Sequence, residues 1–531
     1  MLAMTQCPIP HLIVFLVAAA VCSVAFAAGD SAPTGSVLVA YEPVDFKPCK
    51  LVPRASKFFA LLLAGDLERT PRDYVRATVT IRSTGRTTVR LVIVDMLRRQ
   101  ITTPPIQAVR GQDAEIRLDM NRVATDAVPG YGIAMPSAIA LRVEGSSFEV
   151  LSLKLYCAVE KLPEPDAVVK GPMDDTSIQA ALDSLGEDGG VVYIPAGKYI
   201  INEQVVIPCD NVSIYGDGHD TIIQGTWPAS KALFYAEERK NIRISRLHFA
   251  SLPITAFRGY SEKAHAEKPE DAEKHSVTSR GLRLSGCENV RVDHCEVAFF
   301  GHCGICFYGG KANLVDHCFL HENFRYGYGY GVATPGTKEL YLEDNNFENH
   351  RHGIAGNAGG ASYIARFNRL VKYAQVFPSW NQSAKGINQL RAHEIDAHAN
   401  CGWIYAHDNY VAMYDAVMGG AAMMRGNPGW LYRNVWENCS PGIYCVGNSD
   451  DVWTWDNISL SKCQPDISRA TGEIHFEQKP DGFKEFPYPH ELNRMGWWPG
   501  AEDGSATIVK VETQFAGPQN LQVLELAAEA K

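Results

Sequence analysis

The sequence predicts an all-β protein, a solenoid of stacked parallel β-coils preceded by a β-sandwich. Three observations predict it. Short alternating strands recur through the middle of the chain with a base period in the low twenties. Before them, further strands alternate without a convincing amphipathic helix. Between the two regions lies a helix-capping segment followed by a strand, a Pro-Ala-Gly turn and another strand. At 531 residues the chain suits two or three domains, and 46% hydrophobic with 21% charged residues provides ample core for a soluble fold. The formal net charge of −10 argues against nucleic acid or an anionic membrane as partner, since both reward a basic face. An anionic sugar stays open, because a local cluster of Arg and His can reverse the field.

Residues 1–27 read as a signal peptide. Leu12 to Ala20 is an apolar run, and Ala25-Phe-Ala is a small-x-small cleavage site. The run is too short to anchor the chain in a bilayer, although the segment before His11 lacks the usual Lys or Arg. The expected location is secreted or periplasmic. Twelve of the 14 cysteines lie beyond this segment, and export permits disulfides. Cys49 and Cys157 stand at the two ends of one domain and are expected to clasp it. Cys303 and Cys306 form a lone CxxC with no second pair, and read as buried small hydrophobes rather than zinc ligands.

Residues 36–161 form the β-sandwich. The segment Ala77-Thr-Val-Thr-Ile-Arg alternates up to a Ser-Thr-Gly-Arg turn and continues in Thr87-Thr-Val-Arg-Leu-Val-Ile-Val; Ala114-Glu-Ile-Arg-Leu and Phe148-Glu-Val-Leu-Ser-Leu alternate likewise. Leu162-Pro-Glu-Pro-Asp is a linker. The solenoid is placed at 172–468, and 469–531 as a tail packing on or capping the last coils.

The passage Met173-Asp-Asp-Thr-Ser-Ile-Gln-Ala-Ala-Leu, then Gly189-Gly-Val-Val-Tyr-Ile-Pro-Ala-Gly-Lys-Tyr-Ile-Ile, resembles the opening of pectate lyase-like proteins. In that superfamily a short helix caps a right-handed parallel β-helix, so Asp174 and Asp175 read as a helix cap. Activity on polysaccharides, by lyase or hydrolase chemistry, is what the resemblance implies.

The repeats point to a solenoid independently. Turn residues Cys295, Cys318, Asn346, Asn368, Asn409, Asn434 and Asn457 follow one another at spacings of 23, 28, 22, 41, 25 and 23. Stacked asparagines of this kind bond one another and the bent backbone, a structural role. The insertions 259–279 and 374–391 are surface excursions, where such scaffolds keep function. His294 and His317, at matching coil positions, read as solvated turn residues.

Candidate chemistry gathers on three consecutive coils: Phe324-Arg-Tyr-Gly-Tyr-Gly-Tyr-Gly-Val, Asn349-His-Arg-His-Gly-Ile-Ala-Gly and His393-Glu-Ile-Asp-Ala-His. Neighbouring coils lie about 4.8 Å apart, so equivalent positions meet. With Ile395 inward, strand parity sends Glu394 and Asp396 outward with His398 in phase, and places Arg351 outside. The same parity puts His350 and His352 at the entry turn or inward. The tyrosines share one side and could stack on a sugar ring. The runs from Arg351 and His393 also resemble those of bacterial β-helix proteins of the superfamily, which adds no residue roles.

Arg351, His352, His398 and Tyr330 are the candidate catalytic residues. Tyr326, Tyr328, Arg325, His350, His393, Arg425 and Asp415 are candidates for binding substrate. Two reactions fit. A lyase acting on a uronic-acid polymer needs a cation against the carboxylate, supplied by Arg351, Arg425 or a metal, and a proton acceptor and donor among His352, His398 and Tyr330. A hydrolase needs two carboxylates, for which Glu394, Asp396 and Asp415 are available. The excess of His, Tyr and Arg favours the lyase. The sequence singles out no cofactor, but Glu394 with Asp396 would suit calcium, and His393, Asp396 and His398 could hold calcium or zinc. A non-catalytic glycan binder is the third class. The expected partner is an acidic polysaccharide, with the protein a monomer or small homo-oligomer.

Overall fold

A computed structural model of the chain describes residues 36–41, 49–51, 58–63, 74–95, 100–119, 136–160, 162–226, 232–251, 280–323, 328–357, 359–372, 393–398, 400–413, 420–425, 428–439, 441–447, 449–460, 463–488, 490–493 and 499. The signal segment, both insertions, Arg325, Tyr326 and Asp415 lie outside these residues.

Asp174 caps the helix at the N-terminal end of the solenoid. Its extended backbone and its Oδ1, which accepts from the amides of Thr176 and Ser177 at 3.0 and 3.3 Å, cap the helix Asp175–Asp183. That helix buries Ile178 and Leu182 in the same core as the first coils, among them Val192 and Ile194.

Three parallel sheets follow. A long sheet of 12 strands runs from Ala167–Val168 to Ile474–Phe476, so the coils extend slightly past 172–468 at both ends. A corner sheet of 10 strands runs from Gly197–Ile201 to Ile458–Leu460, and a site sheet of 10 strands from Val205–Val206 to Asp466–Ala470. Every strand pairs with its counterpart one coil away, so like side chains stack, as in Leu282, Ile305, Val332, Ile354, Ile395 and Ala422 along the site sheet. These and their equivalents on the other sheets make one continuous core.

The corner between the long and corner sheets turns on a single left-handed residue per coil. Arg246, His294, His317, Asp344, Phe367, Asp408, Arg433 and Asp456 all have φ between 51° and 58°. For a side chain other than glycine this conformation costs about 1–2 kcal/mol, which the adjoining ladder offsets. Asn345, Asn368, Asn409, Asn434 and Asn457 stack there. The Oδ1 of each of the last four accepts from the backbone amide and the Nδ2 of the rung before it, at 3.0–3.1 Å. Each Nδ2 also donates to a carbonyl of the preceding coil, as Asn434 does to Ala406 at 2.8 Å. The first asparagine rung is therefore Asn345, not the expected Asn346. Asn346 instead pairs with Phe319 in the corner sheet and accepts from Arg369.

Buried ion pairs line the same corner: Arg243 with Asp293, Arg291 with Asp316, and Arg366 with Glu343. His294 and His317 belong to this array. Their rings stack at 5.1 Å and each Nδ1 lies 2.8–2.9 Å from the preceding aspartate, so neither is a freely solvated turn residue.

The N-terminal strands make two antiparallel five-stranded sheets. One orders Ser36–Tyr41, Phe148–Glu160, Tyr74–Ser83 and Asp113–Asp119, with Cys49–Leu51 also on the second of these. The other orders Phe58–Leu63, Pro136–Gly145, Thr87–Asp95 and Gln100–Thr102, with Ile106–Ala108 on the third. Alternate residues, including Ala77, Val79 and Ile81, are fully buried. The register overturns the cysteine clasp. Cys49 lies opposite Val150, so Cys157 stands seven residues further along that strand, roughly 23 Å away and beyond disulfide reach. Cys303 and Cys306 are buried free thiols, and their Sγ atoms and a ring nitrogen of His302 lie within 4.8 Å of one another.

The tail does more than cap the last coils. Phe483 packs on Trp455, Tyr432 and Tyr405, Glu485 pairs with Arg433, and the Phe486 and Pro487 carbonyls accept from Arg366. Asn493 reaches Glu343 and Asp344, and the Pro499 carbonyl accepts from Ser213. The segment thus runs back along the long sheet toward the N-terminal coils.

Candidate active site

The candidate residues converge on the site sheet, in strands Tyr330–Pro335, His352–Asn357, His393–Ala397 and Gly420–Met424. Tyr330 pairs in register with His352, and their rings stack at 5.5 Å with an 18° interplanar angle. His393 continues the column at 5.4 Å and 10°. His352 and His393 also meet through the backbone, where His352 Nδ1 lies 2.9 Å from the His393 carbonyl oxygen and 3.1 Å from its amide nitrogen. In the neighbouring column Ala333, Ala355, Asp396 and Met423 follow one another. The carboxylate is therefore preceded along the sheet by two methyl groups.

Asp396 is the hub. It is fully buried, with Arg425 Nη2 at 2.8 and 2.6 Å from its two oxygens, His398 Nε2 at 2.9 Å and His352 Nε2 at 3.5 Å. Burial opposes its ionisation, but His398 and Arg425 hold it well below the usual carboxylate range. Burial drives His352 well below the ordinary histidine value, against the pull of Asp396, so it is neutral at neutral pH. His393, buried beside it, is pushed down to about 4. Burial raises the Tyr330 hydroxyl, although Arg351 lowers it, and keeps it protonated. His398 and Arg425 are the more accessible members, with side chains 24% and 29% exposed. Tyr328 is exposed, and its ring lies 6.4 Å from that of Tyr330, with His302 4.5 Å from Tyr328.

Strand parity misplaced two residues, His352 and Glu394, and put His350 inward as found. His352 faces outward in the aromatic column rather than inward. His350 is buried near Phe347 and bonds the Leu320 carbonyl through Nε2 at 2.9 Å, away from the hub. Glu394 does not share the outer face with Asp396. In the adjacent coil its position is held by Gly353, where a Cβ would lie 2.7 Å from Glu394 Oε2 and 2.8 Å from core residue Leu370. The Glu394 side chain is thus interior. Burial raises its pKa to about 7, with Lys372 opposing. The strand enters the sheet through a bend that sends two successive residues inward, so alternation begins only at Ile395.

The calcium pair expected of Glu394 and Asp396 is accordingly not assembled. His352, Asp396 and His398 instead offer ligand atoms all within 4.8 Å of one another. Two imidazoles and one carboxylate suit a zinc-like ion better than calcium. His302 and Lys372 went unremarked in the sequence. The glycines at 281, 304, 331 and 353, stacked before Glu394, were the readable sign of the bend, since a Cβ at each would meet neighbouring atoms at 2.6–3.0 Å.

Residues 166–388 match the family model described as rhamnogalacturonase A/epimerase, pectate lyase-like. This stretch is a pectate lyase-like β-helix. The matched residues stop short of His393, Asp396, His398 and Arg425, which stand on or just beyond the next strands of the site sheet. No curated protein matches the sequence. Among solved structures, an alginate lyase from Paenibacillus sp. str. FPU-7 is similar at 12% identity and TM-score 0.42, over 58% of this chain and 99% of that one. A GH87 α-1,3-glucanase catalytic unit from Streptomyces thermodiastaticus strain HF3-3 is similar at 11% and 0.37, over 84% of each chain. The tailspike of E. coli bacteriophage HK620 is similar at 11% and 0.39, over 59% of this chain and 62% of that one. Among the described residues no helix is long and apolar enough to cross a membrane.

Proposed function

We propose that the protein is an exported carbohydrate-active enzyme, and that it cleaves a uronic-acid-containing polysaccharide by β-elimination. The observation that carries this reading is the composition of the hub, where one buried carboxylate, Asp396, is surrounded by His352, His398 and Arg425. Hydrolysis by paired carboxylates is disfavoured because Glu394 is turned into the interior.

In this reading Arg351 and Arg425 neutralise the uronate carboxylate, which makes the adjacent C5 proton acidic. Arg425 has its Nη2 on Asp396, while its Nε makes no hydrogen bond within the described residues. His398, its Nε2 toward Asp396, takes the C5 proton on Nδ1. The released electron pair forms the C4–C5 double bond, the C4–O bond breaks, and Tyr330 protonates the departing oxygen. Tyr328 offers an exposed ring for a sugar to stack on. An acidic substrate fits a chain of net negative charge because the cations are gathered locally at this face.

The test is a panel of uronate polymers, followed at once for absorbance of an unsaturated sugar and for new reducing ends. Both signals rising together is the expected result. Reducing ends without the absorbance would mean hydrolysis, and neither signal on any polymer would mean a binder. Chelator leaves an arginine-neutralised lyase unaffected and abolishes turnover if an ion at His352, Asp396 and His398 does the neutralising.

A further inference from the structure

A second cluster lies on the corner sheet. Four consecutive coils each contribute one side chain: His219 from the turn before Thr221–Gly225, His248 from His248–Ala250, Glu296 from Glu296–Ala298 and His321 from Phe319–His321. All three imidazoles aim at the one carboxylate. His219 Nδ1 is 2.5 Å from Glu296 Oε2, while His321 Nε2 and His248 Nε2 are 3.0 and 3.4 Å from Oε1. The ligand atoms of His219, His248 and Glu296 lie mutually within 4.8 Å. Tetrahedral zinc with bonds of about 2.0–2.1 Å separates its ligands by roughly 3.3 Å, close to these spacings.

Two further features point to an ion. Both ring nitrogens of His248 are buried and make no well-formed hydrogen bond. Such a polar group is costly to bury, unless something takes its lone pair. His321, for its part, sets Nδ1 against Glu322, whose other oxygen accepts from Asn349 at 3.1 Å. The carboxylate that faces His219 and His248 is thus itself held from behind, the arrangement that orients metal ligands.

We propose that His219, His248 and Glu296 form a site for zinc or a similar borderline divalent ion, with His321 and Glu322 holding the Glu296 carboxylate from behind. Three protein ligands leave the fourth position of a tetrahedral ion to water. The ion clips three consecutive coils together beside the short strands His248–Ala250 and Glu296–Ala298. Binding releases the histidine protons and places a dication against two carboxylates, Glu296 and Glu322.

The full chain, stripped with chelator and dialysed, is titrated with zinc, and cobalt(II) is used in parallel for its absorption spectrum. We expect tight zinc binding at this site, a tetrahedral cobalt spectrum and a raised melting temperature on zinc addition. His219→Ala changes an exposed side chain and leaves folding intact, so it keeps the test decisive even if Glu296→Gln or His248→Asn fail to fold. It should weaken zinc binding at least tenfold, and Glu322→Gln about tenfold. His398→Asn, which alters the other histidine cluster, should leave the tetrahedral cobalt signal unchanged. Absence of zinc binding overturns the proposal. So does a cobalt signal lost with His398→Asn and retained in His219→Ala.

Discussion

At the scale of single residues, Asp396 organises the candidate site. It positions two imidazoles and a guanidinium that come from three different strands, and its burial makes their geometry interdependent. His398→Ala and Arg351→Ala should each lower turnover on the order of a hundredfold with folding intact, because each removes one group acting on developing charge or a moving proton. Asp396→Asn should lower turnover at least as far, since it releases Arg425 and His398 together. Rates on the uronate polymer that the protein degrades, beside melting temperatures, check all three. Normal turnover in His398→Ala would remove the base from the proposed mechanism. These residues were visible in the sequence as a density of His, Arg and Tyr on three coils. Where each side chain points was not, because parity counts only within a strand. The bend that turns Glu394 inward precedes the first alternating residue.

At the scale of the coil, the corner combines a strained residue with a stack that repays the strain. Asn434 shows the balance: its Oδ1 accepts from the amide and Nδ2 of Asn409, and its Nδ2 donates to Ala406 and Asn457. Asn434→Ala should therefore cost about 1–3 kcal/mol, leaving buried backbone groups without partners, while turnover per folded molecule stays unchanged. Denaturant unfolding beside specific activity distinguishes the two, and lost activity at unchanged stability would contradict a structural role. The ladder was largely legible, because a low-twenties spacing fixes which turns superpose. The exception, Asn345 for Asn346, arose where two asparagines adjoin. Only the pairing of Phe319 with Asn346 in the finished sheet chooses between them. The false cysteine clasp has a similar origin, since two ends of a domain need not be two ends of a disulfide when one lies on a long strand and the other pairs far along it.

At the scale of the whole molecule, parallel stacking places ionisable groups one above another in a dry interior, so stability should depend steeply on pH. Burial lowers His350 to about 3 and His393 and His407 to about 4, despite nearby acceptors. An unfolded chain protonates these histidines near 6.5. Between 6.5 and 4 the unfolded state thus binds more protons than the folded one, and stability falls as pH drops through that window. The loss should reach about 2 kcal/mol per histidine by pH 4.5. The carboxylates enter later. Burial opposes the ionisation of Asp293 and Asp396, yet their cationic neighbours hold both well below the usual range, so their contribution is kept down to about pH 4 and lost beneath it. Unfolding midpoints should therefore peak near neutrality and begin to fall at about pH 6.5, and His350→Leu should make that decline shallower. Midpoints that stay level from pH 7 down to 4 and drop only below would show that carboxylates alone govern the acid limb, and that these histidines are not held neutral in the fold.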